Sequence, residues 1–235
     1  MKAIKKYFSD WNWFELSILI AAFIVPPAIG IAVESNIWEI LAPMFGMAVA
    51  VLYAKAKLEA YILTFFSVGF YLVVAIQAQF YSDIIYMVAI MMPITIYGLI
   101  NWNKNQRKTD ESKVTVLTNT RTLELVLVVA SQAIMAVGYY FLLRHWDAQF
   151  LILSTISLAV GTAAMYLISR RFKWALAVHI GYSLTVLLWW ALFIADGNPG
   201  ATVMLINPII FTVCDIYGTL KWRKLKVEQD AVKKV

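Results

Sequence analysis

The sequence predicts an all-α polytopic membrane protein with eight transmembrane helices. They form two parallel three-helix repeats joined by a linker helix, plus one peripheral helix at the N-terminus. Composition is the first reason. Of 235 residues, 62% are hydrophobic and 14% charged, with a mean hydropathy of +0.73, against about 25% charged in an ordinary soluble domain. The second reason is length: the apolar residues fall into eight runs of roughly 20, each able as a helix to cross a hydrocarbon core of about 30 Å. The third is an internal duplication. Thr95-Ile96-Tyr97-Gly98-Leu99-Ile100-Asn101-Trp102 returns as Asp215-Ile216-Tyr217-Gly218-Thr219-Leu220-Lys221-Trp222, 120 residues later. Each copy closes an apolar run and precedes a cluster of Lys and Arg, as at the cytoplasmic end of a membrane helix.

In order, spans 1 to 8 cover 14–33, 37–54, 61–80, 84–102, 123–143, 150–169, 174–195 and 202–222. Asp10-Trp11-Asn12-Trp13 reads as interfacial anchoring before span 1, with Asp10 or Asn12 as its N-cap. Seven further runs follow span 1 and no small-residue cleavage signal does, so it is expected to be a retained helix. The connections set orientation. Lys2, Lys5 and Lys6 precede span 1, Lys55 and Lys57 separate spans 2 and 3, and Lys104, Arg107, Lys108, Lys113 and Arg121 follow span 4. Arg170, Arg171 and Lys173 lie between spans 6 and 7, and Lys221, Arg223, Lys224, Lys226, Lys233 and Lys234 lie at the end. The other connections hold Glu34, Asp83, Asp147 and Asp196, with Arg144 their one basic residue. Nineteen of the 20 Lys and Arg therefore lie on one side, which places both termini in the cytoplasm. This clustering explains the net charge of +6 without nucleic acid. The lone Cys214 excludes an intramolecular disulfide or a Cys-based metal cluster.

The expected organisation is an N-terminal segment with its peripheral helix (1–36), a first repeat (37–102), a cytoplasmic loop with linker span 5 (103–149), a second repeat (150–222) and a basic tail (223–235). Val51-Leu52-Tyr53 corresponds to Ala164-Met165-Tyr166. Span 3 follows Lys57 as span 7 follows Lys173, and spans 4 and 8 carry the duplicated motif. Such parallel repeats, related by an axis along the membrane normal, are a carrier architecture.

Polar groups inside the spans are the candidates for chemistry. Asp215 lies about seven residues, or roughly 10 Å, inside the cytoplasmic end of span 8. A carboxylate there costs about 2.5–3.5 kcal/mol on insertion scales, so it needs a partner or a cation. His179 lies at similar depth in span 7, and the two side chains are expected to meet. They either lock spans 7 and 8 together or draw a cationic ring into the bundle. Tyr97 and Tyr217 recur in both repeats inside the span. With Tyr71, Tyr182, Trp189 and Trp190 they supply faces for stacking and cation–π attraction. Trp102, Trp174 and Trp222, near span ends, read as interfacial anchors. Gln132 beside Ser131 bonds either a neighbouring helix or a substrate. Asn207 satisfies either the carbonyl freed by Pro208 or a ligand. Pro43, Pro93 and Pro208, with Gly46, Gly98 and Gly218, offer bends. Thr95 stands where the second repeat has Asp215. Metal-ligand clusters and phosphate-cradling loops are missing, so neither metal nor cofactor is expected.

A three-helix unit duplicated around a linker resembles the SWEET architecture of sugar carriers. The Ile-Tyr-Gly-x-x-x-Trp end of span 4, the Tyr-containing start of span 3 after Lys57, Arg-Arg-Phe-Lys-Trp before span 7 and the Gly-x-x-x-Trp end of span 8 resemble the PnuC family of bacterial vitamin transporters more closely. The resemblance covers most of residues 40–222. It implies an inner-membrane carrier for nicotinamide riboside, thiamine or riboflavin that works by facilitated diffusion, with a cytoplasmic kinase trapping the product. Riboside carriers have Trp-x-x-Trp at the start of span 7, then an Asn. Here the stretch is Trp174-Ala175-Leu176-Ala177, the Asn position falls at Gly181, and the matching Asn of span 3 falls at Ser67.

The expected function is therefore alternating-access transport of a small cationic B-vitamin, thiamine before nicotinamide riboside. The candidate substrate residues are Asp215, His179, Tyr97, Tyr217, Gln132, Asn207, Tyr182, Trp190, Ser67 and Thr95. The partners are the vitamin, the bilayer and, functionally, a vitamin kinase, and self-association is left open. The alternative from another class is a membrane-embedded enzyme using Asp215 and His179 as an acid–base pair, with Thr95 and Ser67 the polar groups at matching depth.

Overall fold

The computed structural model describes residues 7–106, 114–116 and 122–232. Lys2, Lys5, Lys6, Arg107, Lys108, Lys113, Arg121, Lys233 and Lys234, used above for orientation, lie outside the described residues. The described helices are α1 (Trp13–Ala32), α2 (Ile37–Ala54), α3 (Glu59–Gln77), α4 (Tyr81–Tyr86), α5 (Met92–Asn103), α6 (Thr122–His145), α7 (Leu151–Ser169), α8 (Ala175–Ala195) and α9 (Ile206–Val232). A π-helical turn, Met87–Met91, joins α4 to α5, and a 3-10 turn, Pro199–Leu205, leads into α9. Eight helical segments are long and apolar enough to cross a membrane, as the hydropathy runs predict. Among the described residues there is no strand, only an isolated bridge between Gln106 and Val114. The basic residues from Arg223 to Lys226 continue α9 as helix.

Local chemistry sets the ends. Asn12 caps α1: its side chain accepts the Glu15 N–H at 2.9 Å, and the Glu15 carboxylate accepts the Asn12 N–H at 3.1 Å. Asn36 and Glu39 repeat this capping box at α2. At their other ends α2 and α7 close on matching turns. Ala56 and Arg171 are left-handed, with φ of 56° and 65°. Lys57 N–H returns to the Leu52 carbonyl, and Phe172 N–H to Leu167. These turns align the first helices of the repeats at a spacing of 115 residues. Tyr53 therefore matches Ile168, not Tyr166 as the side-chain pattern suggests.

The two three-helix units cross at these ends. The Trp102 indole N–H donates to the Ile168 carbonyl and that of Trp222 to the Tyr53 carbonyl, both at 3.0 Å. Each unit's last helix thus docks on the other unit's first helix. The two indoles meet with centroids 5.9 Å apart, and both are 0% exposed. Trp102 and Trp222 are therefore locks between the units and not interfacial anchors, whereas Trp174 is exposed. Gly218 lies under Ala54 so closely that a Cβ on it would sit 2.9 Å from the Ala54 Cα, so its small size serves close packing.

α1 packs on α2 and the 3-10 turn, and α6 packs on α7. Both turn large apolar side chains outward, among them Phe23 and Ile24 of α1 and Val129 and Phe141 of α6, as lipid-facing helices do. Two ionic groups pin these outer helices. Glu124 of α6 binds Arg170 through both carboxylate oxygens, at 2.8 and 3.2 Å. Glu15 of α1, 1% exposed, accepts from Lys55 at 2.5 Å, from Tyr217 at 2.8 Å, and from Lys221. Burial pulls the Lys55 amine below the ordinary lysine range, and the Glu15 carboxylate offsets part of that fall.

Candidate functional site

A cavity of about 170 Å³ lies between the two units. Its wall comes from α2, α3, α4, the π turn, α7, α8, the 3-10 turn and α9, and has no residue from α1 or α6. The π turn inserts an extra residue per turn, which brings Tyr86, Met87 and Met91 to the wall. Tyr71, Tyr182, Trp189 and Trp190 supply further aromatic faces. Trp189 is fixed by stacking on Phe193 and by its indole N–H, which donates to Ser154 Oγ at 3.0 Å.

The polar lining is mostly neutral: Thr64, Ser67, Ser154, Ser157, Ser183 and Asn207. The Asn207 amide oxygen and the Ser157 hydroxyl are buried with no hydrogen bond inside the protein, so both are available to a ligand. Asp83, in the first turn of α4, is the charged residue of the wall, and its carboxylate accepts the Tyr71 hydroxyl. Lys and Arg are absent from the described lining residues. The described residues of the site therefore offer a carboxylate, an imidazole, aromatic faces, hydroxyls and an amide, and no Lys or Arg.

Five sequence candidates line this cavity: Ser67, His179, Tyr182, Trp190 and Asn207. Asp215 does not. It is 2% exposed behind His179, with Oδ2 2.7 Å from His179 Nδ1 and 3.5 Å from Ser183 Oγ. The expectation that Asp215 meets a cationic ring directly is corrected, because the imidazole stands between them. Tyr217 lies outside the cavity, held by Glu15 and Asn12. Tyr97, 39% exposed, lies against Arg170. The helical turn explains both: two residues apart on a helix is about 200°, so an inward Asp215 or Thr95 sends Tyr217 or Tyr97 outward. Thr95 is buried without a hydrogen bond and away from the cavity wall. Gln132 sits on α6, beyond reach of the wall, beside Ser131 Oγ at 3.5 Å.

Asp83 and Tyr86 were not identifiable from the sequence. Asp83 adjoins span 4 and reads as an external-loop acid. Its one available signal is its place a single residue before an apolar run that also carries Tyr86.

A model of the family described as nicotinamide mononucleotide transporter matches residues 36–224. The chain belongs to that family. The nicotinamide riboside transporter PnuC of Neisseria mucosa is 24% identical over 229 residues, covering 94% of this chain and 85% of that protein. A crystal structure of the vitamin B3 transporter PnuC shares the fold, with a TM-score of 0.81, 20% identity and coverage of 95% of this chain and 96% of that one. Members of the PnuC family are transporters, so the chain is a multi-pass vitamin transporter and the enzymatic alternative is set aside. In this family's terms, the cavity between the two units is the candidate substrate site.

Proposed function

We propose that the protein carries nicotinamide riboside across the bacterial inner membrane by facilitated diffusion, with both termini cytoplasmic and a cytoplasmic kinase trapping the product. The observation that carries this reading is a cavity lined by aromatic rings and one carboxylate, with no Lys or Arg among its described residues. A flat pyridinium is held by ring faces and by nearby negative charge. A phosphate is recognised by cationic or backbone N–H donors, and burying it without them is costly. The chemistry therefore favours the riboside over the mononucleotide.

The expectation of thiamine gives way to the riboside for two reasons. The relative from Neisseria mucosa is a nicotinamide riboside transporter, and the wall offers five Ser and Thr hydroxyls and the Asn207 amide, which suit a polyhydroxylated ribose. Thiamine remains the competitor to test, because Gly181 and Ser67 replace the Asn residues of the riboside pattern.

Calorimetry on the purified protein should show tight binding of nicotinamide riboside, with the mononucleotide, thiamine and riboflavin at least about tenfold weaker, a difference of about 1.4 kcal/mol. Liposomes should take up the riboside without an ion gradient. Mononucleotide or thiamine binding as tight as the riboside's refutes the assignment, and uptake that requires a proton gradient refutes facilitated diffusion.

A further inference from the structure

His179 and Asp215 form a pair that cavity chemistry alone does not explain. His179 Nδ1 lies 2.7 Å from Asp215 Oδ2, with the two side chains 6% and 2% exposed. His179 borders the cavity and Asp215 does not. The imidazole is clamped between Tyr182 and Phe211, with ring centroids 5.3 and 5.2 Å away, and Ser183 Oγ reaches the same carboxylate oxygen at 3.5 Å. The pair exists in one repeat only. By the spacings of 115 and 120 residues, the equivalent positions of the first unit hold Thr64 and Thr95.

We propose that Asp215 is a positioning residue: by accepting the His179 Nδ1–H it holds the ring in one tautomer and leaves the Nε2 lone pair to accept a hydroxyl or amide N–H of the ligand. The proposal rests on the riboside reading for the identity of that donor. A neutral imidazole has one donor and one acceptor nitrogen, and the bond made by one fixes the role of the other. An ionised carboxylate can only accept, so it forces Nδ1 to carry the proton and Nε2 to be bare. Asn at position 215 carries amide donors as well, so it no longer forces the tautomer. The same substitution beside a catalytic imidazole acts by this route.

The chain has two His residues, so in a His145→Gln background the imidazole nitrogen NMR spectrum of the full protein reports His179 alone. The expected result without ligand is the Nδ1–H tautomer, with the Nε2–H form appearing in Asp215→Asn. Calorimetry at one fixed pH should show Asp215→Asn binding nicotinamide riboside about tenfold or more weaker than the parent protein. His179→Gln, whose side-chain carbonyl can accept in place of Nε2, should bind more tightly than His179→Leu, which has no acceptor. An Nε2–H tautomer in the parent protein, or parental affinity in a folded Asp215→Asn, overturns the proposal and leaves the riboside reading intact. No riboside binding by the parent protein overturns the substrate reading instead, and the tautomer spectrum still decides the pair.

Discussion

Gly46→Ala tests whether Asn207 touches the ligand. A Cβ built on Gly46 falls 2.3 Å from the Asn207 amide oxygen and 2.7 Å from its Cγ and Nδ2. Unbonded heavy atoms do not approach so closely, so the amide must swing away. Its oxygen has no partner inside the protein, so the swing breaks no recorded bond at that atom. Alanine also favours helix over glycine by about 0.8–1 kcal/mol. Folding stability should therefore change by less than about 1 kcal/mol, within the spread of such opposing terms. The ligand loses one hydrogen bond, worth about 0.5–1.5 kcal/mol, a roughly two- to twelvefold rise in Kd. The assay is calorimetry with nicotinamide riboside beside thermal unfolding of the ligand-free protein. Asn207→Ala should match the Gly46→Ala loss, and the double variant should lose little more, because both remove the same contact. An unchanged Kd in the folded Gly46→Ala protein refutes a ligand role for Asn207. Additive losses in the double variant refute the shared contact.

Three further perturbations probe the rest of the molecule. Asp83→Asn should weaken the cationic riboside about tenfold while barely changing neutral nicotinamide, since it removes charge but keeps much of the shape; equal losses for both would mean that Asp83 acts by packing. Glu15→Gln leaves Lys55 buried without its closest carboxylate and should lower stability by up to about 3–5 kcal/mol, part of which Lys55→Met should restore. A melting temperature unchanged in Glu15→Gln would show that the group is slack. Trp222→Phe removes the donor to the Tyr53 carbonyl and should cost about 1 kcal/mol in thermal unfolding with riboside affinity unchanged. A loss of affinity without a loss of stability would place that lock in the transport path.

Much of the fold was legible because membrane helices are specified by local quantities. Run length, Lys and Arg placement and a recurring Gly-x-x-x-Trp depend on the chain's own order and not on packing. The Asn12 cap and the His179–Asp215 meeting were equally readable, the first from spacing and the second from shared depth. Register was not. Tyr53 and Tyr166 look alike as side chains, but their backbones occupy different places relative to the Ala56 and Arg171 turns. Depth also says nothing of azimuth, so Tyr97 and Tyr217, sound candidates by depth, face away from the cavity.

Sequence by itself determined an eight-span helical membrane bundle with an acid and an imidazole inside its second half, because lipid leaves a chain few ways to satisfy its backbone and charges. Tertiary structure alone decided that Asp83 meets the cavity, that Asp215 lies behind His179, and that Trp102 and Trp222 lock the units together. Those outcomes depend on which faces of helices far apart in sequence turn toward one another. One residue of rotation, about 100° on a helix, is enough to change each of them.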